Sequence, residues 1–130
     1  MKSKAYDAVY QDMEAVVKAA DGLTTKVILE TALLDETEKR KAAEMAVAAG
    51  ADFVKTATGF YGGGATVEDI ELLAASVQGK IGIKAAGGIR TYDDAVSMIR
   101  SGATRIGASG AVAIIRNEKA DTDYWFGGIT

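Results

Sequence analysis

Apolar residues along this chain recur in two alternating rhythms, one helical and one short and continuous, and the alternation defines the elements. From Tyr6 to Ala20, Val9, Met13, Val16 and Val17 fall at helical spacing and Gly22 follows, so a helix opens the chain with no strand before it. KVILETALL, Lys26 to Leu34, reads as a buried strand. Asp35 and Glu38 then have the spacing of a capping box, for a helix that ends near Ala49 and is closed by Gly50. ADFVKTAT is the next strand, followed by a Gly59 to Ala65 loop. Thr66, with Asp69 three residues on, caps a helix running to about Val77, and Gly79 closes it. KIGIKAAGG, Lys80 to Gly88, is the third strand with its turn. Thr91 with Asp94 opens a helix that Gly102 ends, TRIGAS (Thr104 to Ser109) is the fourth strand, and Ala111 to Asn117 starts a last helix.

The second and fourth strands sit in similar surroundings, AVAAGADFVKTATG beside MIRSGATRIGASG: a helix, Gly-Ala, a short strand and a turn of small residues. Strands alternating with helices imply βαβ units and a parallel sheet, so the class is α/β. Two architectures satisfy this grammar: an open flavodoxin-like sheet, or a four-unit section of a (βα)8 barrel, half of a TIM barrel preceded by one helix. A full barrel takes roughly 250 residues, and the site residues described next favour the half-barrel.

In either architecture, function gathers at the C-terminal ends of the strands. Period two puts Phe53, Lys55 and Ala57 on one face of the second strand, and Gly82, Lys84 and Ala86 on one face of the third. A lone lysine in a strand is ordinarily a solvated or snorkelling side chain. Two of them on consecutive strands, each among small neighbours, are a different case. Strands lie about 4.8 Å apart, so desolvation and mutual repulsion would both lower the amine pKa values and yield a neutral nucleophile. The glycines that follow, Gly62 to Gly64, read by themselves as a flexible connection.

Composition narrows the chemistry further. The 130 residues are 48% hydrophobic and 25% charged, enough for one domain with a real core. The net charge of −3, with bases scattered among acids, gives no footprint for nucleic acid. No apolar run is long enough to span a bilayer, so no membrane partner is expected and a cytoplasmic protein is. Cysteine and histidine are absent, which removes thiolate nucleophiles, histidine bases and the common zinc sites. No metal or other cofactor is expected. Proline is absent as well, against an average usage of about 5%. An engineered or truncated sequence would show that departure.

FVKTATG, GIKAAGGIRT and RIGASG, in this order and spacing, resemble the C-terminal half of the deoxyribose-phosphate aldolases, over about residues 5 to 116. The resemblance implies a (βα)8 barrel and class I aldol chemistry without metal, joining acetaldehyde to glyceraldehyde 3-phosphate to give 2-deoxyribose 5-phosphate. It implies that Lys55 forms the Schiff base and that Lys84 lowers the pKa of Lys55 and assists proton transfer. It also implies that Gly87 and Gly88, with Ser109 and Gly110, contact a substrate phosphate, so the small-molecule partner is a phosphorylated sugar or aldehyde.

The chain departs from that pattern in three ways. Gly110 stands where a second serine is common, and Ala85 where some members have proline. The first four βα units have no counterpart, nor does the aspartate of the proton relay, which neither Asp12 nor Asp21 matches. Glu30 is the carboxylate nearest the expected site, and its plainer reading is a hydrogen-bonding or ion-pairing acid. Low or no turnover is therefore expected, the alternatives being a barrel section without turnover or a weak phosphosugar-binding module. The domain is expected over residues 1–119 with a tail at 120–130, whose ADTDYWFGGIT either covers exposed core or frays. Free edges at the Lys26 and Thr104 strands lead to an expected C2 homodimer, unless the tail or the first helix folds over the open face.

Overall fold

The computed structural model describes residues 1–117; the 120–130 tail, with its aromatic cluster, lies outside them. The order is α1 (Tyr6–Ala19), β1 (Lys26–Ile28), a 3-10 turn (Thr31–Leu33), α2 (Glu36–Ala49), β2 (Phe53–Lys55), α3 (Val67–Val77), β3 (Gly82–Ala86), α4 (Tyr92–Arg100), β4 (Arg105–Gly107) and α5 (Ala111–Ile115). All strand pairs are parallel and the sheet order is β1-β2-β3-β4. A flavodoxin-like sheet would place the second strand outside the first. The sequential order instead matches a section cut from a barrel.

Helix starts form where the local chemistry predicts. The Asp35 carboxylate accepts from the Glu38 N–H at 2.8 Å while Glu38 accepts from the Asp35 N–H at 2.9 Å, and Thr91 with Asp94 closes the same box on α4. Thr66 accepts from the Asp69 N–H and caps α3. Asp69 also meets the Lys39 ammonium at 2.6 Å, tying α3 to α2 in a mostly buried ion pair.

The first strand differs from the sequence expectation. Pairing as a regular strand stops at Ile28, and Glu30 takes a left-handed φ of 53° before the 3-10 turn. A non-glycine residue there is costly. The Glu30 carboxylate offsets the cost by accepting from the Thr58 N–H at 3.0 Å and the Thr58 hydroxyl at 2.6 Å. Backbone bonds from Leu29 to Lys55 and from Thr31 to Thr56 carry the contact with β2 past the kink.

The core lies between the sheet and its helices. Val54, Ile83 and Ala85 point to one side and pack with Ile70, Leu73 and Val77 of α3 and Ala42, Ala43 and Ala46 of α2. Each helix packs beside the next, α1 against α2 through to α4 against α5. The first helix therefore joins the helical layer, with Met13 and Val17 against the core, and does not fold over the open face of the sheet. By alternation that face carries Lys26, Ile28, Phe53, Lys55, Gly82, Lys84, Ala86, Arg105 and Gly107. Ile28 is 46% exposed there.

Candidate functional site

The register brings the two sequence-predicted lysines together: Lys55, the last residue of β2, is the direct partner of Lys84 in β3. Both are half-buried. The strand ends beneath them are locked by Thr56, a fully buried residue whose hydroxyl accepts from the Ala86 N–H at 3.0 Å and donates to the Ala86 carbonyl at 2.9 Å. The Thr56 N–H bonds the Lys84 carbonyl at 3.1 Å. One small polar side chain thus satisfies a buried backbone pair and fixes the spacing of the lysine-bearing strands.

The electrostatics follow from the same register. Lys84 is flanked in its row by Lys55 on one side and Arg105 on the other. Burial, and then the charges of Lys26, Lys55 and Arg105, hold the Lys84 amine below the ordinary lysine value of 10.5. Room for that side chain comes from Gly107, where a Cβ would lie 2.8 Å from Lys84 Cε. Lower on the same face, Gly82 lets the Phe53 ring lie across β3. Arg105 sits over that ring at 4.3 Å from its centroid and Lys26 at 5.8 Å. Sequence reasoning missed Lys26 and Arg105 as members of this cluster, although alternation from Gly107 back to Arg105 carried the signal.

The candidate phosphate residues occupy two turns at the same end of the sheet. Gly87 and Gly88 follow β3 with φ of 88° and 75°, and Ser109 and Gly110 follow β4, with Gly110 at the N-cap of α5. Ser109 is exposed and makes no capping bond. The glycine triplet does more than connect. A Cβ on Gly64 would collide with the Gly87 carbonyl, one on Gly63 would lie 2.9 Å from the Ala32 Cβ, and the Ala65 N–H bonds the Gly87 carbonyl at 3.0 Å. The β2–α3 loop is thus seated backbone to backbone on the β3 turn. Gly64→Ala should cost about 1–3 kcal/mol, because the obstacle is main chain and not a movable side chain; a urea midpoint equal to wild type would contradict this packing.

Glu30, the carboxylate singled out in the sequence, is engaged by Thr58, which is the structural role expected of it. A concavity of about 850 Å³ opens at the opposite, N-terminal end of the strands, lined by Asp52, Phe53, Lys80 and Gly82 among others. It lies at the other end of the sheet from Lys55. No described helix is long and apolar enough to cross a membrane.

Comparison with known proteins bears on this geometry. Residues 2–118 match the model of a family described as DeoC/LacD family aldolase. Deoxyribose-phosphate aldolase 2 of Oceanobacillus iheyensis is 59% identical over 124 residues, 95% of this chain and 56% of that protein. The deoxyribose-phosphate aldolase of Streptococcus sanguinis is 56% identical with the same coverage. Among solved structures, an aldolase called QR15 superposes with a TM-score of 0.84 at 43% identity, covering 88% of this chain and 52% of its own. The tetrameric deoxyribose phosphate aldolase of Aeropyrum pernix gives 0.81 at 38%, covering 88% and 50%. The chain spans about half the length of the curated relatives it matches.

Proposed function

Because the chain belongs to the DeoC/LacD family of aldolases, we propose that it carries Schiff-base aldol chemistry, with Lys55 as the amine that attacks an aldehyde carbonyl. Water leaves as the imine forms, and Lys84 exchanges protons with the adduct from the next strand. The substrate class is that of the relatives' names, 2-deoxyribose 5-phosphate and the aldehydes it yields. The observation that supports this most is the register of Lys55 with Lys84, combined with the lowered pKa of Lys84. An ammonium held below its ordinary pKa gives up its proton to the adduct more readily than a free lysine would.

The phosphate is assigned to the Gly87–Gly88 turn and the Ser109–Gly110 turn, which follow adjacent strands and offer backbone N–H groups. Such phosphorylated substrates are membrane-impermeant, so a cytoplasmic setting goes with the reading. Imine formation is expected to outrun full turnover in this chain. The Glu30 carboxylate is committed to Thr58, which leaves the proton relay short of an acid, and general acid–base assistance is worth roughly 10²- to 10⁴-fold.

Acetaldehyde followed by borohydride should leave a reduced two-carbon adduct on Lys55, located by peptide mass, and Lys55→Arg should abolish it. Labelling spread evenly over the surface lysines would remove the case for an activated amine.

A further inference from the structure

We propose that Gly107 is a positioning residue for Lys84: by carrying no side chain it lets the lysine run across β4, and so decides where the amine stands relative to Lys55. The consequence for catalysis rests on the aldol reading; the geometry rests on packing alone. Gly107 pairs with Ala86, whereas the strand partner of Lys84 is Arg105, two residues earlier. The Lys84 side chain therefore leans along the sheet toward the C-terminal strand ends. A Cβ on Gly107 would lie 2.8 Å from Lys84 Cε and 3.5 Å from its Nζ. The amine end of the lysine thus fills the space that a side chain on Gly107 would take.

The backbone does not call for glycine here. Gly107 lacks the positive φ that Gly87 and Gly88 take in the neighbouring turn, and glycine inside a strand gives up packing and loses more conformational entropy on folding than alanine does. Nor would a Cβ strike main chain, as one on Gly64 would. Its neighbours would be the far end of Lys84 and the Ala86 Cβ at 3.1 Å. Of these, only the lysine is free to swing. What the missing side chain provides is room for Lys84. A side chain on Gly107 would turn the lysine away from β4, and on the other side of β3 stands Lys55, its direct partner in β2. The displaced amine would be crowded against Lys55 or lifted out of the row. A shift of roughly 1 Å is enough to cost about 10²-fold in a reacting pair.

Gly107→Ala tests this in two ways. In a chain whose lysines are isotopically labelled at Cε, the NMR peak of the Lys84 ε-CH2, assigned by its loss in Lys84→Arg, should move further than that of any other lysine. This measurement needs no aldehyde. Borohydride trapping of acetaldehyde at Lys55 should slow roughly 10- to 100-fold. In a Lys84→Met background the same substitution should change the rate by less than about twofold, because the amine it displaces is gone. Acetaldehyde carries no phosphate, so the Ser109–Gly110 turn just beyond stays out of the readout. Circular dichroism checks that the variant folds. If it does not, Ala86→Gly combined with Gly107→Ala removes the second contact, and the same results are expected of the pair. An unmoved Lys84 peak would overturn the proposal. So would equal slowing with and without Lys84, which would mark a disturbed strand. A wild-type chain that traps nothing at Lys55 would remove the aldol reading instead, and the Lys84 peak would still decide the role of Gly107.

Discussion

Lys84→Met should slow borohydride-trapped imine formation at Lys55 by roughly 10²-fold or more, the size of a lost acid–base group. The variant loses the amine that is in register with Lys55 and exchanges protons with the adduct. The pH dependence gives a sharper reading. Because the Lys84 amine is held below 10.5, it loses its proton earlier than a free lysine, so wild-type trapping should climb with pH in the window beneath 10.5. The share of that limb that Lys84 contributes should be missing from the variant. Stability has the same sign: between the lowered folded value and 10.5 the unfolded chain binds more protons, so wild type gains stability as pH rises through that window, and Lys84→Met should not. A variant with wild-type rate and profile would take Lys84 out of the chemistry.

Leu73→Ala should produce the largest loss of stability, about 2–5 kcal/mol. Leu73 is completely buried in the layer where α3 meets the sheet, with Val54, Ile83 and Ile70 in the same core. A domain of this size has only about 5–15 kcal/mol in hand, so the variant should lie close to unfolding at room temperature. Urea denaturation measures this directly. A loss under about 1 kcal/mol would mean that the core relaxes around the cavity and is not the close-packed layer seen here.

What was legible in the sequence is what local chemistry decides. The pairs Asp35 with Glu38 and Thr91 with Asp94 are neighbours along the chain, and each forms its box as read. Alternation placed Lys55 and Lys84 on one face, and parallel pairing of consecutive units brought them into register. The features that escaped depend on distant residues. KVILETALL reads as one strand because nothing within it reveals that Thr58 will hold the Glu30 carboxylate and bend the backbone. Gly63 and Gly64 read as slack until Ala32 and Gly87 are seen against them. Lys26 and Arg105 belong to no motif, and the register and the Phe53 ring bring them into one group.

The sequential strand order also sets how the chain can assemble. Every strand pairs with the next in the chain, so each pairing closes a loop of one βα unit, and closure entropy grows only with the logarithm of loop length. No step must bring the first strand to the last. Folding can begin at the β2–β3 pair, which the Thr56 hydroxyl ties to Ala86 by two bonds, and grow outward one unit at a time in either direction. With no proline in the chain, that growth meets none of the slow isomerisations that interrupt refolding.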